Sequence, residues 1–426
     1  MKSDERAGLF KSKRLHLYPR TASRFTSGSM SSLSVRTTRT GTVGSDSLLA
    51  LSITFKEAMH EVWYRVSEGS LADGSETCLV ALLLPAMALG RPLCIPGRVS
   101  PRLFGRIETI QDIFVKWCPE LQKVELEVDL REEKADREHS SVRRGVACFF
   151  SGGVDSFYTF LKHREEISHL IFLRGFDIPL DNKPLLQIVT DAMRQIAEEL
   201  ERPLVEVETN VRSFSDPCVS WTFYHGSLLA SIALLLAPRF RKVYIPSSHS
   251  YAQLFPWGSH PLLDPLWSTE ETEIIHDGCE ASRVEKLRSL TSCDVATKHL
   301  RVCWENRNGA YNCGLCEKCI RTMVSLRIVG LLDRSASFAR PLDLDAVTRL
   351  DLPDENARTF IEENLHALET MGKDDELARA LRKCLENRHG CAPRQRTHYL
   401  LDKALDGLKG IGLAPVGRRV LKTLSF

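Results

Sequence analysis

The sequence predicts an α/β protein: a Rossmann-like, doubly wound parallel sheet, preceded by a small N-terminal α+β domain and followed by a helical C-terminal region. The first observation behind this prediction is an alternation that starts at residue 145. Short apolar runs, typical of buried parallel strands, alternate there with segments of helical periodicity. The second observation is a glycine-containing loop that joins the first of these runs to a helical segment. Such alternation is the pattern of successive β-α-β units.

Four strands and two long helices are predicted within this α/β region. The strands are expected over 146–150, 169–173, 204–207 and 242–246, and the helices over 184–200 and 223–237. The first long helix has Pro184 in its first turn, where the missing N–H group is not needed for a helical hydrogen bond. Its apolar residues recur at three- and four-residue spacing, which indicates one buried face.

The chain has 426 residues, enough for two or three domains. In chain order, we expect a disordered tail over 1–47, a small α+β domain over 48–130, a charged linker over 131–144, the α/β domain over 145–330 and helices over 331–426. The tail is rich in Ser, Thr and Arg, and Met30 is a candidate start codon within it. A targeting peptide is the alternative for the tail. In the C-terminal region, helices are expected over 355–371, 375–385 and 398–408.

The bulk composition indicates which classes of partner and which cellular compartment to expect. The net charge is +2, from 57 basic and 55 acidic residues, so no global field demands nucleic acid or an anionic membrane. The longest apolar runs, 78–89 and 228–237, are too short to span a bilayer as helices. The 13 cysteines are odd in number and follow no secretory signal, which disfavours a disulfide framework. We therefore expect a cytoplasmic protein with no membrane partner.

The loop from Ser151 to Ser156 is the strongest functional signal. Gly152 and Gly153 let the backbone turn sharply and approach an anion closely, beside the N–H groups that open a helix. Ser151 and Ser156 add hydroxyl donors, and Asp155 is a candidate for ordering the loop or holding Mg²⁺. The alternative is a Gly-Gly turn that merely begins a helix. A Walker-type phosphate loop and a Gly-x-Gly-x-x-Gly dinucleotide loop are both absent from the sequence.

Four cysteines form the second signal. Cys303, Cys313, Cys316 and Cys319 follow the pattern Cys-x₉-Cys-Gly-x-Cys-x₂-Cys, and Gly314 permits a tight turn within it. Four thiolates around Zn²⁺ make a closed structural site, so structural zinc is the favoured interpretation. An iron–sulfur cluster would suit the same ligands, and four unrelated core cysteines are the remaining alternative.

The string Ser151–Ser156 resembles the PP-loop of the N-type ATP pyrophosphatases, whose members share a Rossmann-like fold of the HUP type. Together with the four cysteines, it is most similar to the 7-cyano-7-deazaguanine synthases. The resemblance covers about residues 145–330. It implies an ATP-dependent C–N ligase that adenylates a carboxylate, releases pyrophosphate, and forms an amide or nitrile with ammonia or an amine.

The resemblance also implies roles for individual residues. ATP with Mg²⁺ would lie on Ser151, Gly152, Gly153, Val154, Asp155 and Ser156, with Leu173 and Arg174 near the adenine. Arg283 stands where the family has a cation that reaches toward the phosphates. Ser151, Asp155, Ser156 and Arg283 would form the catalytic set, and the four cysteines would hold structural Zn²⁺.

The sequence lacks the segments that bind the substrate in this family. The family's substrate-binding segments have no counterpart, so the acceptor acid, whether a 7-deazapurine or another small molecule, stays open. Candidate acceptor residues lie on predicted loops and helix starts at the carboxyl edge of the sheet; they are His225, His249, His260 and Asp264, and one of the histidines is a candidate base toward the incoming amine. Asp177, which closely follows a predicted strand, is a candidate substrate-site residue that would bind Mg²⁺ or ribose. Each is also compatible with a plain surface, capping or turn role.

Two further functions stay open at this stage. One is a tRNA-modifying PP-loop enzyme, such as a thiolating one, which would need a basic RNA surface and a sulfur-carrying cysteine. The balanced charge disfavours nucleic acid as a partner. The other is a non-catalytic module that binds nucleotide and zinc. A homodimer is compatible with the sequence but is not indicated by it.

Overall fold

The computed structural model describes residues 15–16, 32–55, 58–132, 144–352, 355–371 and 374–387. The N-terminal part contains β1 (Leu15–His16), β2 (Leu33–Val43), β3 (Asp46–Phe55), β4 (Ala58–Val66), α1 (Ser75–Leu89), β5 (Leu93–Val99), α2 (Pro101–Trp117) and β6 (Leu126–Leu130). The middle part contains β7 (Gly145–Phe149), α3 (Val154–Lys162), β8 (His169–Arg174), α4 (Lys183–Glu199), β9 (Leu204–Thr209), α5 (Val211–Ser215), α6 (Trp221–Leu235) and β10 (Phe240–Pro246). The last part contains β11 (Glu273–Asp277), α7 (Arg283–Ser289), α8 (Asp294–His299), α9 (Glu317–Ile328), α10 (Leu344–Thr348), α11 (Glu355–Met371) and α12 (Asp375–Glu386).

The chain divides into two compact units. Unit 1 comprises Met1–Val146, Trp221–Val243 and Pro256–Ile275, and unit 2 comprises Ala147–Ser220, Tyr244–Phe255 and His276–Phe426. Both units combine strands and helices, so the predicted α/β class is confirmed. None of the helices in the described ranges is both long enough and apolar enough to cross a membrane.

Unit 1 is built on a mixed sheet with the strand order β1-β6-β5-β2-β3-β4. Strands β2, β3 and β4 form an antiparallel meander, whereas β5 is parallel to β2 and β6 is parallel to β5. Helix α1 is buried along almost its whole length and packs against α6 and β5. Because α1 and α6 are apolar on every side, each must be buried against other elements on all of its faces. The hydroxyl of Tyr224 in α6 donates to the carbonyl oxygen of Ala81 in α1, at 2.8 Å.

Two predicted domain boundaries need correction in this unit. Strand β2 lies inside the expected disordered tail, so a tail ending at residue 47 is wrong; residues 1–14 and 17–31 lie outside the described chain. Leu33 and Val35 are buried in β2, and the threonines after them suit a strand although they carry little apolar signal. The α/β domain expected over 145–330 is also interrupted. Its segments Trp221–Val243 and Pro256–Ile275 cluster with unit 1, because α6 finds its apolar cover on α1.

Unit 2 contains the strand order β9-β8-β7-β10-β11, with β10 and β11 contributing their last residues. Strands β7, β8 and β9 are parallel, with Ala147 opposite His169 and Leu170 opposite Leu204. The chain proceeds from β7 outward to β8 and β9, and β10 then pairs on the other side of β7. The reversal of strand order at β7 and β10 is a topological switch point, and this arrangement is compatible with a Rossmann-like fold.

The strands and helices predicted in the α/β region are confirmed within two or three residues of their expected ends. In the C-terminal region, α11 and α12 confirm two of the three expected helices, and the third, over 398–408, lies outside the described residues. Helices α9 to α12 share one apolar core, which includes Val324, Ile361, Leu377 and Leu381. Most of the expected linker, residues 133–143, is also outside the described chain.

Candidate functional site

The loop after β7 has the backbone geometry that its glycines predict. Gly152 has a φ of +72°, in the left-handed region, and a Cβ at this position would lie 2.7 Å from the Cε of Met193. Gly153 is the N-cap of α3 and is extended, with φ −84° and ψ 168°. No side chain of the described residues caps α3, so its first N–H groups are left for another acceptor. The loop therefore offers backbone donors at the carboxyl edge of β7.

The two serines of the loop differ in their surroundings. Ser151 is exposed beside the turn. Ser156 is buried, and its hydroxyl donates to the carbonyl oxygen of Gly153 at 2.9 Å, closing the first turn of α3. Val154 is fully buried and anchors the helix start. A direct contact of Ser156 with phosphate stays a prediction, whereas Ser151 is accessible as it stands.

Asp155 is held by two buried cations from α7. Its Oδ2 lies 2.9 Å from Nη1 of Arg283, and its Oδ1 lies 3.2 Å from Nζ of Lys286. The side chains of Arg283 and Lys286 are only 4% and 1% exposed, so both charges are removed from water. Burial by itself would raise the pKa of the Asp155 carboxyl, but the charges of Arg283 and Lys286 outweigh it and hold that pKa well below its ordinary value. Asp155 is therefore ionised at neutral pH.

Lys286 also joins the two strands of the switch point. Its Nζ donates to the carbonyl oxygen of Ser247, at 2.6 Å, and Ser247 directly follows β10. Because Asp155 follows β7, one ammonium group bridges the loops after both strands. Lys286 was not among the predicted site residues, although its spacing of three residues from Arg283 places both on one face of a helix.

The aromatic ring of Phe360 in α11 lies beside Arg283 and a further cation, Arg321. The guanidinium carbon of Arg321 lies 3.8 Å from the centre of its ring, and that of Arg283 lies 5.6 Å away. The imidazole of His249 stacks on the same ring, with centroids 5.4 Å apart. Phe360 and Arg321 were not among the predicted site residues, since only the tertiary fold brings α11 to this place.

His249 is the one predicted acceptor residue that lies against this cluster. It is 5% exposed and also contacts the ring of Phe255. Burial lowers the pKa of His249 to about 3; the charge of Asp155 opposes this shift and that of Arg321 adds to it. The imidazole is therefore neutral at pH 7 and a weak base, so its surroundings do not suit it to act as a general base.

The predicted adenine and ribose residues lie at the end of β8. Arg174 is engaged by two carboxylates of β9, at 2.9 Å to Oε2 of Glu208 and 3.8 Å to Oε2 of Glu206. Leu173 is half-buried beside it. Asp177 is exposed on the following loop, and its carbonyl oxygen accepts from Nδ2 of Asn306 at 3.0 Å. Arg174 thus has a local structural role, and contact with adenine stays a prediction.

The other three predicted acceptor residues belong to unit 1. Asp264 is fully buried and accepts from the hydroxyl of Ser259 at 2.6 Å. His260 is buried, and its Nδ1 accepts from the N–H of Leu262 at 3.0 Å. Nδ1 of His225 lies 3.0 Å from the carbonyl oxygen of Trp221. These contacts are local to unit 1, and a role of the three residues in binding the acceptor stays a prediction.

The four predicted cysteines come together in unit 2. Their sulfur atoms all lie within 4.8 Å of one another and all four residues are buried. The Cys303–Cys316 and Cys313–Cys319 sulfur pairs are both 3.9 Å apart. Four sulfurs at about 2.3 Å from one tetrahedral ion are about 3.8 Å apart, so these two spacings match those of a tetrahedral Zn²⁺ site. The cluster could therefore hold a structural metal, as the spacing predicts.

Backbone N–H groups around the cluster stabilise negatively charged cysteine sulfur atoms. The N–H of Cys316 lies 3.3 Å from the sulfur of Cys313, and the N–H of Cys319 lies 3.4 Å from the sulfur of Cys316. Gly314 has a φ of +67°, which confirms the tight turn expected there. The side-chain oxygen of Asn312 accepts from the N–H groups of Val302 and Cys303, so it ties the first cysteine to the other three.

Comparison with known proteins adds no relative to this description. No family model matches the chain, and no curated protein or solved structure gives a significant match to it.

Proposed function

We propose that unit 2 binds the triphosphate of ATP over residues 151–156 and transfers its AMP moiety to a carboxylate, with release of pyrophosphate. The observation that carries this proposal is the pairing of Arg283 and Lys286 with Asp155 beside the uncapped start of α3. A PP-loop architecture of the HUP type is the framework in which this pairing is best understood. The proposal makes the protein an AMP-forming C–N ligase.

The charge balance of the cluster favours an anionic ligand. Two buried cations, Arg283 and Lys286, face the single carboxylate of Asp155. Among the described residues, the Nε of Arg283 has no hydrogen-bond partner although it is buried. A buried cation that lacks full compensation is costly, and a polyphosphate would supply both charge and acceptor oxygens. The cluster is thus better explained as part of a ligand site than as a stabilising ion pair.

The position of the cluster supports the same ligand. In open α/β sheets, ligands bind beyond the carboxyl ends of the strands at a switch point. The loop after β7 and the loop after β10 meet there, bridged by Lys286. The first N–H groups of α3 and its positive helix end face the same edge. Phosphate oxygens would accept from these N–H groups, from Ser151 and from Arg283.

The proposed chemistry follows from these contacts. A carboxylate oxygen of the acceptor attacks the α-phosphorus, the bond to the β-phosphate breaks, and the electron pair leaves with pyrophosphate. Arg283 and Lys286 stabilise the negative charge that develops on that leaving group. Mg²⁺, when bound, would add charge neutralisation at the phosphates, and the ionised carboxylate of Asp155 is suited to hold it. Ammonia or an amine would then displace AMP from the acyl adenylate.

The test is product analysis with ATP labelled at the α-phosphate. Purified protein is incubated with Mg²⁺ and a panel of small carboxylic acids with ammonia, and AMP, ADP and pyrophosphate are measured. We expect AMP and pyrophosphate in equal amounts with at least one acid, and a loss of both products in Arg283→Met. The matched control is Arg288→Met, which changes an exposed arginine of the same helix. Formation of ADP in place of AMP, or equal turnover in Arg283→Met, would refute the proposal.

A further inference from the structure

Helix α9 contributes residues to the cysteine cluster. It also reaches the cluster formed by Asp155, Arg283 and Lys286. Cys316 is its N-cap and Cys319 lies in its first turn, so two candidate metal ligands fix the start of the helix. Lys318 stands between these two cysteines. Arg321 follows Lys318 by three residues and therefore lies on the same face of α9. The contact of Arg321 with Phe360 shows that this face is turned toward the site of Asp155 and Arg283.

Lys318 is unusual among the cations of this region. Its ammonium group makes no ion pair or hydrogen bond with any of the described residues, although the side chain is half-buried. A partly desolvated ammonium on the same helix face as Arg321 is unfavourable unless an anion joins the two cations.

The segment that leads into the cysteine cluster also contacts the phosphate loop. The N–H of Arg301 donates to the carbonyl oxygen of Gly152 at 2.8 Å. Asn312 holds the next two residues, Val302 and Cys303, through its side-chain oxygen. The guanidinium of Arg301 donates to the carbonyl oxygen of Tyr311 and, at 2.9 Å, to the side chain of Asn306. One connected segment therefore links the first cysteine to the glycine turn.

We propose that Lys318 is an anion-binding residue of the phosphate site, and that the four-cysteine metal site sets anion affinity by fixing both Lys318 and Gly152. This inference rests on the proposed function for the identity of the ligand as ATP. It goes beyond that function because it gives the metal site a role in binding and not only in folding. The pattern Cys-Glu-Lys-Cys over 316–319 places the lysine between two ligands, so a small shift of the cluster would move its ammonium group.

The experiment measures binding by calorimetry with two probes, ATP in the presence of Mg²⁺ and inorganic pyrophosphate. We expect Lys318→Met to weaken both probes by about ten- to a hundredfold, the effect of losing a hydrogen bond to a charged group. Lys298→Met is the matched control, since this lysine is exposed and pairs with Glu199. Metal content and the far-ultraviolet circular dichroism spectrum of each variant are measured to show that the cluster and fold persist.

A second arm removes the metal from the wild-type protein with a chelator under reducing conditions. We expect anion affinity to fall by a similar factor, faster hydrogen exchange at residues 152–155, and recovery of both on adding Zn²⁺. Equal affinity in Lys318→Met and wild type, or full affinity and unchanged exchange without metal, would overturn this inference while leaving the proposed function intact. Pyrophosphate binding that depends on Lys318, with no ATP binding, would uphold the inference and refute the proposed function. Failure of the wild type to bind either probe would overturn both.

Discussion

Nη1 of Arg283 lies 2.9 Å from Oδ2 of Asp155, and both side chains are largely shielded from water. This pair connects the loop after β7 to helix α7. Lys286 completes the arrangement on the other carboxylate oxygen. The cluster thus contains a buried excess of positive charge, held by one carboxylate, at the edge of the sheet where ligands of such folds bind.

Asp155→Asn should destabilise unit 2. The substitution leaves Arg283 and Lys286 buried without their counter-ion, and breaking a buried pair from one side costs about 3–5 kcal/mol. We expect about 2–4 kcal/mol in urea denaturation, because the side chain of Asp155 is still 18% exposed. Pyrophosphate should restore part of this loss by compensating the cations.

The control for this prediction is Asp191→Asn on α4, whose carboxylate is 57% exposed. We expect it to change stability by less than about 0.5 kcal/mol. An Asp155→Asn protein as stable as the wild type would show that the cations are compensated by other groups.

His249 should give the stability curve a distinct pH dependence. Its pKa in the folded protein is about 3, whereas an unfolded histidine has a pKa of about 6.5. Between these values the unfolded chain binds about one more proton. The free energy of unfolding should therefore fall as pH falls, by about 1.4 kcal/mol per pH unit between about pH 6 and 4. The contribution is fully present above the unfolded pKa.

Urea denaturation at several pH values measures this slope. His249→Gln should reduce this slope by the contribution of about one proton taken up on unfolding. His366→Gln, which changes an exposed histidine of α11, should leave the slope unchanged. An identical slope in His249→Gln and wild type would mean that the imidazole is not held neutral by burial. Asp155 adds a further loss of stability at lower pH. Its pKa in the folded protein is depressed, so the stabilisation from its ionised form is lost only as pH falls below about 4.

Gly152→Ala should damage the loop for two separable reasons. A left-handed φ costs a residue with a Cβ about 1–2 kcal/mol. The new Cβ would also lie 2.7 Å from the Cε of Met193, so the end of this buried side chain must shift within its packing. Gly330→Ala is the matched control, because Gly330 has a φ of +75° with nothing within 4 Å of its Cβ position.

We expect Gly330→Ala to lose only the backbone contribution, and Gly152→Ala to lose at least about 1 kcal/mol more together with pyrophosphate affinity. Thermal denaturation and calorimetric titration measure the two effects. Equal stability losses, with pyrophosphate binding kept in Gly152→Ala, would show that the close approach to Met193 is not required.

The cysteine cluster should bind one metal ion per chain. We expect zinc in elemental analysis and a colourless protein, because four thiolates at tetrahedral spacing suit Zn²⁺. Cys316→Ser should lose the metal. Cys293→Ser should keep it, since this cysteine is buried outside the cluster. A brown protein with stoichiometric iron would instead support the iron–sulfur alternative.

Local signals explain what could be predicted from the sequence. The glycine turn, the cysteine spacing and the helices α4, α11 and α12 each depend on residues that are near one another in the chain, and each is found as expected. Arg283, which the family resemblance implies as a cation for the phosphates, lies on Asp155, and its contact with phosphate stays a prediction.

The remaining features depend on contacts between distant segments. The assignment of α6 to unit 1 follows from its packing on α1, and an all-apolar helix carries no periodic signal that names its partner. Phe360 reaches Arg321 and His249 only because α11 packs on α9. Strand β2 was missed because only its first residues are buried. His225, His260 and Asp264 belong to unit 1, and their role in binding the acceptor stays a prediction.

The proposed function requires residues 151–156 to bind the phosphates of ATP beside Arg283. A crystal structure of the protein with α,β-methylene-ATP and Mg²⁺ tests it most directly, because this analogue cannot be cleaved between its α and β phosphates. We predict phosphate oxygens within hydrogen-bond distance of the N–H groups that open α3 and of the guanidinium of Arg283. Phosphates bound elsewhere, with Arg283 still paired only to Asp155, would contradict the account.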